Sequence, residues 1–171
     1  MGLHFDPIEE ARRNWQRAGW GDGQAMVAAT SVTRAHQIVL AEINAALAVF
    51  NLTFSRFEVL ALLYFSRNES LPMGKIGDRL QVHPTSVTSL VNRLADDGLV
   101  ERVAHPTDRR TTLVELTREG RSITPKCAAA LELVDFGLPG LSPAQQETLV
   151  ATIADQRRAS GDWTSVEAPA D

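Results

Sequence analysis

The chain has 171 residues, 44% of them apolar and 22% charged, enough for one domain with a real core and some appended elements. A net charge of -4 argues against a protein that coats nucleic acid regardless of sequence, and a single cysteine, Cys127, excludes an intramolecular disulfide or a cysteine-built metal site. The apolar runs fall far short of the ~20 residues of a membrane helix, and MGLHFDPIEEARR lacks a basic-then-apolar leader, so the expectation is a cytoplasmic protein with no membrane partner.

In chain order, Asp6, Pro7 and Glu9 mark a helix start with a capping box, and Ile8, Ala11, Trp15 and Ala18 give a short amphipathic helix ending near Gly19. A long helix follows over about 24–50, with Val32, Ala35, Val39, Ile43, Ala46 and Phe50 on one stripe. Residues 53–67 read as a third helix capped by Ser55 with Glu58 three positions on, and NESLPM after it reads as a loop. GKIGDRLQV is then a short helix. HPTSVTSLVNRLADDG is another, with Pro84 in its first turn and Gly98 as its stop. Two helices joined by about three residues make a helix-turn-helix candidate.

At 99–104 and 111–116 the pattern changes to short β-branched runs, a hairpin whose loop is HPTDRR. From Thr117 a helical period returns through Ile123, Cys127, Ala130, Leu131, Val134 and Leu138, with Pro125 expected to kink that helix or delay its start. Ser142, Pro143 and Gln145 cap a final helix ending near Gly161, before a flexible tail. The fold class is therefore mainly α with a small β-hairpin: a winged helix-turn-helix flanked by further helices. It divides into N-terminal helices at 6–50, a winged lobe at 53–116, C-terminal helices at 117–161 and a tail at 162–171.

Charge is unevenly distributed. Residues 73–121 hold eight Lys/Arg against seven Asp/Glu, and the remainder nine against fourteen. On a helical wheel Val87, Leu90, Val91 and Leu94 share one side of the segment starting at Pro84. Thr85, Ser86, Thr88, Ser89, Asn92 and Arg93 lie away from that apolar side, where small hydroxyls, an amide and a guanidinium suit base edges in a major groove. A plain solvated helix face is the competing account of the same residues. The loop that follows puts His105, Arg109 and Arg110 at a hairpin tip, where positive charge can enter a minor groove. Asp108 is expected to pair with a neighbouring arginine and fix the loop.

These residues carry a resemblance. DRRTTLVELTREG, 108–120, resembles the wing of the MarR family of bacterial transcriptional regulators: Asp-x-Arg, an alternating strand, then Leu-Thr-x-x-Gly. HPTSVTSLVNRLADDGLVER is similar to that family's recognition helix and first wing strand, and the likeness extends over about 22–158. It implies a homodimer with interlocking first and last helices and two winged lobes on a near-palindromic double-stranded operator, often released by a small ligand. It also implies Arg110 as the minor-groove residue, Asp108 as its brace and Arg109 at a variable position. The extension DPIEEARRNWQRAGWGDG resembles that of a subgroup with an added N-terminal helix that responds to small anionic metabolites, and Pro125 departs from the family pattern.

A ligand site on that model would draw on Trp15, Trp20, Arg34, His36, Arg56 and Arg67, an aromatic wall with cations suited to a planar anion. Docking of the extra helix explains the tryptophans equally, surface ion pairs explain the arginines, and an ordinary helix histidine explains His36. Cys127 on an apolar stripe reads as core rather than sensor, and the four histidines lack metal-ligand spacing, so neither metal nor cofactor is expected. No phosphate loop, Gly-x-Ser-x-Gly elbow or paired-histidine motif is present, which argues against an enzyme. The expected function is a homodimeric, sequence-specific DNA-binding regulator, a repressor released by a small anionic or aromatic ligand. The alternative is a winged-helix protein-interaction module that does not bind DNA.

Overall fold

A computed structural model describes residues 3–108 and 110–163. Helix α1 (Pro7–Arg17) leads into α2 (Gln24–Leu47), α3 (Phe54–Phe65), strand β1 (Ser70–Pro72), α4 (Met73–Leu80), α5 (Pro84–Asp96), β2 (Val100–Ala104), β3 (Thr112–Leu116), α6 (Arg118–Glu132) and α7 (Pro143–Ala159). No single helix among these residues is long and apolar enough to cross a membrane.

The core forms where α2, α3, α5, α6 and the sheet meet. Leu47, Val59, Leu60, Leu63, Ile76, Val91, Leu94, Val114 and Leu131 are fully enclosed there, and Cys127 lies among them. The sheet has three antiparallel strands in the order β1-β3-β2, with Leu71 opposite Val114 and Arg102 also opposite Val114 on the other side. β1 lies within the segment read from sequence as a loop. Three residues ending in a proline carry no alternation, and only the open edge of β3 gives their backbone a ladder.

Helix ends follow local chemistry with informative exceptions. Asp6 Oδ1 accepts from the Ile8 and Glu9 N–H groups, but Glu9 pairs with Arg12 rather than closing a capping box. Helix α3 begins two residues earlier than the Ser55 cap implied, with Thr53 at its N-cap. The Phe54 N–H donates instead to Asn44 Oδ1 of α2, at 2.8 Å, a tertiary cap that local spacing cannot reveal. Ser142 and Gln145 form the full capping box of α7.

Pro125 neither breaks nor delays α6, which runs through it from Arg118 to Glu132. The carbonyl deprived of a partner belongs to exposed Arg121, while Gly120, Thr124, Cys127 and Leu131 anchor the buried side on both flanks of the proline. The helix ends six residues before Leu138, where the apolar period had suggested. Asp135, Phe136 and Gly137 all take positive φ, reversing the chain under α2. Gly137 is required there, since a Cβ would come within 2.8 Å of the Val39 carbonyl oxygen.

The stripe on α2 is used in two halves. Val39, Ile43, Ala46 and Phe50 pack into the core, whereas Val32 and Ile38 are 52% and 47% exposed. Helix α7 buries no residue within the chain and leaves Val150 68% exposed.

Candidate nucleic-acid interface

Helix α5 is set by its neighbours before its outer face is considered. Gln81 closes α4 in the left-handed region, and the α4–α5 crossing is so close that a Cβ on Gly77 would meet Val87 at 3.3 Å. His83 caps α5, its Nδ1 accepting from the Thr85 N–H, and Pro84 supplies the first helical residue. At the other end, Arg56 of α3, only 8% exposed, donates to the Asn51 carbonyl at 2.9 Å and pairs with Asp97 at the C-cap. The helix is thus held at both ends and along its Val87, Val91 and Leu94 side.

This leaves Pro84, Thr85, Ser86, Thr88, Ser89, Asn92 and Arg93 exposed together on one surface. Thr88 Oγ1 donates back to the Pro84 carbonyl at 3.0 Å. Asn92 Oδ1 accepts from the guanidinium of Arg102 on β2.

The wing loop is a small self-braced unit. Asp108 Oδ1 accepts from the Arg110 N–H at 3.0 Å and Oδ2 from the Thr111 hydroxyl at 2.7 Å. His105 Nδ1 accepts from the Asp108 N–H at 3.1 Å and the Thr107 N–H at 3.3 Å, while Thr111 N donates to the Asp108 carbonyl at 3.0 Å. The Thr111 hydroxyl, the Arg110 N–H and the nearby His105 hold the Asp108 carboxyl below its ordinary range. Asp108 therefore shapes the loop through the backbone N–H of Arg110 and the hydroxyl of Thr111. Arg110 is exposed and shares with Lys75 and His105 a recess between the wing base and the start of α4. Arg109 lies outside the described residues.

Comparison with known proteins agrees with this geometry. The MarR family model matches residues 50–111, from just after α2 to the wing. Sco5413 of Streptomyces coelicolor, a MarR family transcriptional regulator, is 41% identical with a TM-score of 0.76, over 82% of this chain and 98% of that one. This chain belongs to the MarR family. The HTH-type transcriptional regulator MhqR of Bacillus subtilis is 31% identical over 59% of this chain and 71% of its own length. CouR of Rhodococcus jostii RHA1, whose structure holds p-coumaroyl-CoA, is 26% identical with a TM-score of 0.63, over 80% of this chain and 92% of that one. As a member of this family the chain is a winged-helix transcriptional regulator.

The six residues considered for a ligand are placed on different parts of this MarR-family chain. Trp15 and Trp20 meet edge to face with centroids 5.1 Å apart, and Trp15 Nε1 donates to the Trp20 carbonyl at 2.9 Å. Trp15 packs beside Gly23 at the start of α2, whereas Trp20 is 69% exposed. Arg34 donates to Gln37 at 3.1 Å on the exposed part of α2, where His36 also lies. Arg56 is committed beneath α5, and Arg67 borders a recess at the foot of the wing with Lys75, His105 and Leu113.

Three residues that matter here escaped the sequence reading: Arg102, Thr111 and Asp97. Arg102 and Asn92 are ten residues apart across the Gly98 turn, a pairing that antiparallel return of the strand makes geometrically available. Thr111 is three residues from Asp108, the spacing of a side-chain-closed turn, which was the available signal. Asp97 is an exposed acidic residue in the sequence, and only the packing of α3 puts Arg56 against it.

Proposed function

We propose that the chain is a homodimeric, sequence-specific repressor that lays α5 in the major groove and the 105–110 wing in the adjacent minor groove of a near-palindromic operator. One observation carries this reading: the hydroxyl, amide and guanidinium face of α5 stands exposed beside a wing already braced by Asp108. Hydroxyls and an amide can address base edges, and a loop ordered before binding loses less entropy when it docks. In this reading Arg110 is the minor-groove cation and His105 serves the loop's own backbone.

The dimer would be built from the helices at 6–50 and 117–161 around the 53–116 lobe. Support comes from Val32 and Ile38 on α2 and Val150 on α7, exposed apolar residues on long helices that a second copy would cover. A small planar anionic or aromatic ligand would release the operator. The exposed Trp20 beside Trp15, and the likeness to a CoA-thioester-bound relative, favour that layer.

Selection of bound sequences from random DNA tests the reading directly. A two-fold related motif is expected, and Arg110→Ala should lower affinity for it and reduce the salt slope by about one. No bound sequence and no mobility shift at low salt would refute DNA recognition and favour a wing that docks on protein. A thermal-shift screen of aromatic and small carboxylate compounds tests the ligand layer, with a raised midpoint as the expected result.

A further inference from the structure

The contact between Asn92 and Arg102 has a consequence for which base is read. Asn92 is exposed in the third turn of α5, and its amide oxygen accepts from the Arg102 guanidinium, which projects from β2 onto the helix. A guanidinium has only donors, so the oxygen of the amide must be the atom that faces it. One lone pair of that oxygen is then occupied beside a positive charge, and the amide nitrogen is turned outward as a donor. A free asparagine reads adenine by donating to N7 and accepting from the N6 amino group, which requires both ends of the amide.

We infer that Arg102 is a positioning residue that fixes Asn92 as a hydrogen-bond donor and so directs this position of the operator toward guanine and away from adenine. Guanine presents two acceptors, N7 and O6, to the donating nitrogen. Adenine offers it only N7, and sets its N6 donor beside the donating amide and the guanidinium. The adjacent guanidinium charge favours the same edge. This rests on α5 being the helix that reads bases, as proposed above.

The test is selection from random DNA with the full-length protein and four variants, with melting curves confirming that each is folded. Asn92→Ala should make one base pair in each half-site unselective and thereby map the position. The wild type should prefer guanine there. Arg102→Met frees the amide to turn, and the ratio of guanine to adenine should fall by about tenfold at that position alone. Arg102→Lys keeps a donor beside the amide oxygen and should retain the preference. Asn92→Asp keeps the contact with Arg102 but cannot donate, and should lose guanine. If Arg102→Met weakens all sequences equally with the guanine preference intact, Arg102 is a phosphate contact and the inference is wrong. If Asn92→Ala leaves every position unchanged, Asn92 reads no base and the inference is equally wrong. If the wild type selects no sequence at all, the reading of α5 fails first, and that outcome is distinct from either of these.

Discussion

Removing Asp97 should destabilise the lobe more than removing its partner Arg56, even though Asp97 is the more exposed of the two. The Arg56 side chain is 9% exposed and that of Asp97 40%. Asp97→Ala strands a guanidinium that is already short of partners: its Nε has none among the described residues, and only the Asn51 carbonyl remains for the rest. Breaking a fully buried pair costs about 3–5 kcal/mol and an exposed one about 0–1 kcal/mol. With water able to enter where Asp97 was, the expected loss is about 2 kcal/mol. Arg56→Met keeps much of the buried volume and releases Asp97 to solvent, so its cost should be about 1 kcal/mol or less. In the double variant the aspartate change should add about 0.5 kcal/mol or less, because the charge it balanced is gone. Urea unfolding followed by tryptophan fluorescence measures all four proteins, at one protein concentration because association adds to apparent stability. Additive losses, or Asp97→Ala milder than Arg56→Met, would falsify the assignment of Asp97 as the counter-charge that seats α5.

Further outcomes follow from close packing and burial. A Cβ at Gly120 would run into the Leu99 carbonyl and approach Leu116 at 3.1 Å, so Gly120→Ala should cost about 3 kcal/mol in the same unfolding assay and loosen the join between α6 and the hairpin. Burial raises the Glu58 carboxyl above its ordinary value. A raised folded value means that its favourable contribution is complete below the ordinary carboxylate pKa and is lost as pH rises through the folded one. Glu58→Gln should therefore raise the melting temperature at pH 7, with the gain shrinking as pH falls to about 4. Burial also pushes the Cys127 thiol up to about 11, so a disulfide reagent at pH 8 should label it only at the rate of unfolding, and rapid labelling of folded protein would contradict its core placement.

Several parts of the molecule were legible from residues alone because the determining interactions are local. Pro84 and Gly98 frame α5, the wheel separates Val87, Val91 and Leu94 from the hydroxyl face, and the Ser142 and Gln145 box starts α7 at the expected residue. The Asp-x-Arg loop was recognisable for the same reason, since Asp108, Arg110 and Thr111 close a turn within four residues. That Asp108 holds the loop could be read from sequence, but the atoms it takes could not: a carboxylate within three residues of several partners can bind a hydroxyl or a backbone N–H, and the loop's path selects among them.

Tertiary structure decided everything that depends on residues distant in the chain meeting one another. β1 exists because β3 offers an unpaired edge, and α3 starts at Phe54 because Asn44 of α2 receives its first N–H. α6 passes through Pro125 because buried residues hold it on both sides, then ends at Glu132 because the chain must turn beneath Val39. Periodicity and capping fix which face of a segment is apolar and where a segment can begin, since both act over one or two turns. They do not fix which segment covers that face or which side chain reaches across to another, so the seating of α5 by Arg56 and the turning of Asn92 by Arg102 belong to the fold alone.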